Sequence, residues 1–219
     1  MEIKFVFLYT FLFTYVISFN DDYQYYSNSV LLDRGFLALT EIPILCPPQS
    51  ALLKFKLLYD NDDNKKIKFG FNCYDSLSID YKGEYVDYTD WTEADLNMVF
   101  LNKHHIKCKK YYILRGFTME FNKFDNIDNV RFRYNCYPID NYIDSKCLSD
   151  SLFSTGWKKN VKSSIESLIE QKIDTQCENC IVNSFKIDMK YSENIQNDLN
   201  EEWMNNFNFG WCIIRESLQ

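Results

Sequence analysis

The sequence predicts an all-β (mainly) fold assembled from three divergent copies of one disulfide-bonded unit. Two runs of strictly alternating apolar residues each end in a cysteine: Ile67-x-Phe69-x-Phe71-x-Cys73 and Val130-x-Phe132-x-Tyr134-x-Cys136. An earlier cysteine opens each unit, nine residues before a phenylalanine in both cases: Cys46 before Phe55, and Cys108 before Phe117. Helical spacing occurs in one stretch only, residues 158–173. Alternation over five to seven residues marks a half-buried strand, because successive side chains point to opposite faces. Several residue classes recurring at fixed spacing mark an internal repeat.

Taken from the start, Lys4 leads into an apolar run from Phe5 to Ile17, and Ser18 supplies a small residue for cleavage. The run has the length of a signal-peptide core and is short for a bilayer span. Residues 1–18 therefore read as a signal peptide, and 19–219 as a single domain. The three copies occupy about 35–80, 98–145 and 170–215. The first runs from Cys46 through Leu52-Leu53-Lys54-Phe55-Lys56-Leu57 and an acidic loop to Cys73; the second repeats this from Cys108 to Cys136. The third is looser, with Phe185-Lys186-Ile187-Asp188-Met189 and then Phe207-x-Phe209-x-Trp211-Cys212. Its cysteine falls one residue early, which predicts a bulge or altered register there. Between the copies, Ile79 to Tyr88 fits strands interrupted at Gly83. Val161, Ile165, Leu168, Ile169 and Ile173 predict one helix near 158–173, inserted before the third copy.

All eight cysteines, Cys46, Cys73, Cys108, Cys136, Cys147, Cys177, Cys180 and Cys212, follow the leader. An even count behind a secretory signal reads as four disulfides. In the closing runs the cysteine shares the aromatic face, which suits a link between neighbouring strands. Its expected partner is the cysteine opening the same copy, giving Cys46 with Cys73 and Cys108 with Cys136. Cys212 is expected with Cys177 or Cys180, the other bridging to Cys147. Cys177-x-x-Cys180 is one close pair where zinc sites need two, so no metal is expected, and no cofactor.

The opening cysteine, Gly116-Phe117-Thr118-Met119-Glu120, the run Asp125-Asn126-Ile127-Asp128-Asn129-Val130-Arg131-Phe132 and the closing Cys136 resemble the vitelline-membrane outer-layer protein family. The resemblance extends over roughly residues 35–215. It implies a β-prism, three antiparallel sheets around a pseudo-threefold axis, with cysteine pairing within each copy. The aromatic-x-aromatic-x-Cys endings also resemble the dermatopontin family, which implies an extracellular β-rich protein with matrix and adhesion roles. Abundant Phe, Tyr, Asn, Asp, Ile and Lys, with little Ala, Gly or Pro, is similar to secreted proteins of malaria parasites and other apicomplexans.

Function is read by exclusion first. A net charge of -7 opposes a polyanionic partner, and no basic block reverses it locally, so nucleic acid is not expected. No later stretch is apolar for long enough to span a membrane. The two histidines, His104 and His105, are adjacent and face opposite ways if on a strand, and no serine-hydrolase elbow, phosphate loop or zinc-protease motif occurs. The disulfides consume the thiols. The chain therefore reads as a non-enzyme: a secreted adhesive or binding protein, a soluble subunit of an extracellular or parasite-surface (host-cell invasion) complex. Its partner would be a membrane-anchored or secreted protein, placing it outside the cell, or in a secretory organelle and on the cell surface through that partner. Aromatic residues make up 17% of the chain, and Tyr81, Tyr85, Tyr88 and Trp91, with Tyr23, Tyr25 and Tyr26, lie outside the core-like strands as interface candidates. The alternative is a lectin or glycan-active enzyme using the acidic loops, through Asp62 and Asp63 or Asp125 and Asp128.

Overall fold

The structure is a computed structural model describing residues 23–75, 81–94, 98–138, 153–154, 158–160, 165–169, 172–174, 180–191 and 203–213. The signal peptide 1–18, Cys147 and Cys177 lie outside the described residues, and so does the pairing of Cys180 and Cys212. The chain is mainly β. In order it forms β1 (Tyr25–Tyr26), β2 (Val30–Leu31), β3 (Ile44–Leu45), β4 (Ser50–Asp60), β5 (Asp63–Asp75), β6 (Tyr85–Tyr88), β7 (Thr92–Glu93) and β8 (His105–Lys107). There follow β9 (Tyr112–Phe124), β10 (Ile127–Pro138), β11 (Phe153–Ser154), β12 (Lys158–Asn160), α1 (Glu166–Ile169), β13 (Lys172–Asp174), β14 (Cys180–Tyr191) and β15 (Trp203–Ile213). Among the described residues no helix is long and apolar enough to cross a membrane.

Three long antiparallel hairpins, β4–β5, β9–β10 and β14–β15, each form the centre of a five-stranded sheet. The apolar alternation seen in the sequence is the reason: Leu57, Phe55, Phe71 and Ile67 of the first hairpin face inward, as do Phe117, Met119, Phe132 and Val130 of the second. At the second tip, Asp125 and Asn126 have φ of 49° and 66°. A two-residue hairpin turn of this hand needs positive φ at both positions, and Asp and Asn tolerate it at low cost.

The short strands link the three sheets. β3 precedes the first hairpin but pairs with β9 of the second sheet; β8 precedes the second hairpin but pairs with β14 of the third. β13 precedes the third hairpin but pairs with β4 of the first. The exchange is cyclic. Each time an isoleucine lies opposite a phenylalanine of the neighbouring sheet: Ile44 opposite Phe117, Ile106 opposite Phe185, and Ile173 opposite Phe55. These three phenylalanines meet one another in the core, with ring centroids 5.2, 5.3 and 4.6 Å apart. Burying each ring contributes on the order of 1.5–3 kcal/mol, and edge-to-face pairing adds to that.

Both expected disulfides with described partners are present, Cys46–Cys73 and Cys108–Cys136. Their setting corrects the expectation of a link between neighbouring strands. Cys46 follows β3 in the second sheet while Cys73 lies on β5 of the first, so the bridge joins two sheets; Cys108 and Cys136 join the third and second in the same way. The alternation correctly put the cysteine on the buried face, but it carries no information on which sheet receives the opening strand. After each opening cysteine the chain turns sharply, with Gln49 and Tyr111 at φ of 65° and 67° and Ser50 and Tyr112 donating back to the carbonyls of Pro47 and Lys109.

Two further expectations need correction. The register irregularity foreseen for the third copy is present there, between Val182 and Ser184, but it is not peculiar to that copy: the other two hairpins skip a residue between Leu52 and Lys54 and between Leu114 and Gly116. By pairing, Phe209 opposes Phe185 as Phe71 opposes Phe55, so Cys212 lies one residue beyond the position of Cys73, not before it. The helix foreseen near 158–173 is a single turn, Glu166–Ile169, flanked by β12 and β13. Its apolar positions are buried at Ile165, Leu168 and Ile169, but pairing with β15 and β4 claims the two ends. A short helix has too little nucleation strength to resist that competition.

Gly116 sets how closely β3 approaches β9. A Cβ there would lie 2.1 Å from the Ile44 carbonyl oxygen and 2.7 Å from the Leu45 Cα, both backbone atoms. Gly116→Ala should displace β3 and lower stability by about 1–3 kcal/mol, read as a lower urea midpoint at unchanged slope.

Candidate functional site

The outer face of the second sheet gathers the most chemistry. Strand alternation places Arg131 directly opposite Glu120, and both point away from the core. Arg131 donates from Nε and Nη2 to the same Glu120 oxygen, each at 2.8 Å. Its guanidinium lies 4.1 Å from the centre of the Tyr88 ring and 4.5 Å from that of Trp91. Trp91 in turn meets Phe124 edge-on at 5.4 Å. Val86, Tyr88, Phe124 and Ile127 are each between 43% and 46% exposed, so an apolar ridge runs over this face beside the arginine. An arginine stacked on aromatics and fixed by a carboxylate is rigid before any ligand arrives.

The segment bearing Trp91 is latched from beneath by His104. This imidazole is 3% exposed, with Nδ1 2.8 Å from the Thr89 hydroxyl and Nε2 2.6 Å from that of Thr92. Thr89 Oγ1 also accepts the Phe132 N–H at 2.9 Å. The ring edge rests on Phe132 and Phe100. Burial, with a smaller contribution from Lys103, pushes the His104 pKa down to about 4, partly opposed by Asp90. His105, the first residue of β8, points to the other side and is exposed.

The sequence-chosen residues separate in the structure. Tyr88 and Trp91 share the outer face. Tyr85 turns against Tyr112, with centroids 4.9 Å apart, and its hydroxyl accepts the Lys109 N–H at 2.7 Å; burial pushes its pKa up. Tyr81 opens a 3-10 turn, and its side chain lies outside the described residues. Tyr23 is buried, Tyr25 stacks on Phe71, and Tyr26 is half exposed beside Lys68. Asp62 and Asp63 sit at the first hairpin tip and Asp125 and Asp128 at the second, on different sheets. Asp63 accepts the Lys65 N–H, while Asp128 lies 3.6 Å from the Lys123 ammonium. Among the described residues no three His, Cys, Asp or Glu side chains converge as a metal site.

Two hollows among the described residues bear on this face and on the core beneath it. One is an apolar void of about 30 Å³ beside the three phenylalanines, too small and too dry for a ligand. The other is an open groove of about 540 Å³ along the second sheet, lined by Thr40, Trp91, Thr118, Met119, Glu120, Phe121 and Asn122. Sequence reasoning found Trp91 but missed Arg131, Glu120 and the His104 latch. Arg131 and Glu120 carry a weak signal, since both fall on polar positions of alternating strands; the latch carries none. Comparison with protein-family models, with curated proteins and with solved structures finds no match to this chain.

The latch predicts a pH dependence. His104 is neutral in the fold, so the unfolded chain, with an imidazole near 6.5, binds the extra proton first. Stability is complete above about pH 6.5 and falls as pH drops toward 4, by on the order of 2–3 kcal/mol. Urea titrations across that range should show the loss, and His104→Gln should flatten it.

Proposed function

We propose that this chain is a secreted, non-enzymatic binding protein, a soluble subunit of an extracellular complex, and that the outer face of its second sheet meets a protein partner. The observation carrying this reading is Arg131 held over Tyr88 and Trp91 by Glu120, with the exposed ridge of Val86, Phe124 and Ile127 alongside. Tyr, Trp and Arg dominate the energetic centres of protein interfaces, because they bury much area at little entropic cost when already fixed. Two disulfides joining sheets support an oxidising compartment, as does the apolar leader. Three sheets tied cyclically around Phe55, Phe117 and Phe185 support a prism of the kind the vitelline-membrane resemblance implies.

Affinity purification of the tagged, secreted protein under mild conditions, followed by mass spectrometry, tests this reading. A stoichiometric membrane-anchored or secreted protein partner is expected. Tyr88→Ala should weaken its capture by roughly tenfold or more without moving the urea midpoint, the effect of a mid-sized interface centre. A partner held equally well by Tyr88→Ala would remove this face from the reading.

A further inference from the structure

One charge on the outer face of the second sheet is left unanswered. Arg133 lies on β10, opposite Thr118 of β9 on one side and Tyr88 of β6 on the other. Directly opposed residues share a face, so all three project outward with Arg131 and Glu120. Arg133 is exposed and makes no ion pair with any described residue. The carboxylates around it are committed or turned away. Glu120 holds Arg131, and Glu84 accepts from both Arg115 and Asn135. Asp87 lies opposite Tyr134, so strand alternation sends it to the other face. Position 120 answers Arg131 with a carboxylate, whereas position 118 answers Arg133 with only a hydroxyl.

That cation sits beside the apolar ridge, with Val86 and Tyr88 exposed on the neighbouring strand. A partner that covers Val86 and Tyr88 also takes water from Arg133. Desolvating a guanidinium without a counter-charge opposes binding, whereas a carboxylate can accept from its planar fork at two points. The whole chain carries a net charge of -7, so long-range repulsion disfavours a densely charged polyanion. One isolated cation matches one isolated acid. We propose that the partner is a polypeptide segment carrying an Asp or Glu between apolar residues. Its carboxylate sits on Arg133 and accepts the Thr118 hydroxyl proton, while the flanking residues cover Val86 and Tyr88. The assignment rests on the reading of this face as a partner surface and adds the chemistry that the partner must bring.

The probe is a displayed library of short random peptides, selected on the immobilised intact protein and then titrated singly by calorimetry. Peptides weakened by Tyr88→Ala report on this face. They should carry Asp or Glu flanked by apolar residues, and Arg133→Gln should weaken them by about thirtyfold or more. Replacing the peptide's acid by its amide should cost as much on the unmutated protein and little more on Arg133→Gln, the signature of a direct pair. Thr118→Glu, which supplies the missing carboxylate from within, should also abolish binding. Arg133 is exposed, so Arg133→Gln should leave the urea midpoint in place. Peptides that need Tyr88 but carry no acid, or that bind Arg133→Gln unchanged, would retain the interface and overturn the acidic partner. No peptide sensitive to Tyr88→Ala would overturn both. Arg133-dependent binding of phosphatidylserine vesicles, with no such peptide, would give the cation to a lipid surface and reject the proposal.

Discussion

Contact among Phe55, Phe117 and Phe185 is the constraint on which the rest of the molecule depends. Each ring comes from the first strand of a different hairpin, so no sheet owns the core. The short strands that open each segment then reinforce the same point, placing Ile44, Ile106 and Ile173 directly opposite the three rings. The disulfides fasten this arrangement just beyond the isoleucines, at Cys46 and Cys108. A change at any one ring is felt by all three sheets, because close-packed interiors transmit displacement rather than absorb it.

That shared core positions the outer face of the second sheet. β10 turns Phe132 and Tyr134 inward, which leaves Arg131 and Arg133 outward by strand geometry alone. Phe132 also carries the edge of His104 and gives its N–H to Thr89, so the same residue supports the core and the segment leading to Trp91. The aromatic and arginine side chains outside are thus fixed from within. Binding at such a surface loses little rotamer freedom.

The strands and the two described disulfides were legible because they leave local marks: period-two alternation, and a cysteine in phase with it. The cyclic exchange was not. β3, β8 and β13 are two or three residues long, and nothing in Ile44-Leu45 distinguishes its own hairpin from the next. The helix near 158–173 was overread because its spacing is real only over the turn containing Leu168 and Ile169, while Lys172–Asp174 is claimed by β4. At the site, aromatic richness pointed to Tyr88 and Trp91 but could not separate them from Tyr85, which differs only in the face it presents. The His104 latch depends on hydroxyls twelve and fifteen residues away, a closeness created by folding. The two acidic loops, offered by the sequence as alternative sites, lie at the tips of hairpins in different sheets.

The cyclic exchange also orders events in time. During synthesis the first hairpin leaves the ribosome with one edge of β4 open, since its partner β13 is more than a hundred residues downstream. An open strand edge invites pairing with other chains until it is covered. The open edge of β4 in the nascent polypeptide therefore stays a hazard until the last quarter of the chain supplies β13, and covering it is among the final steps of folding.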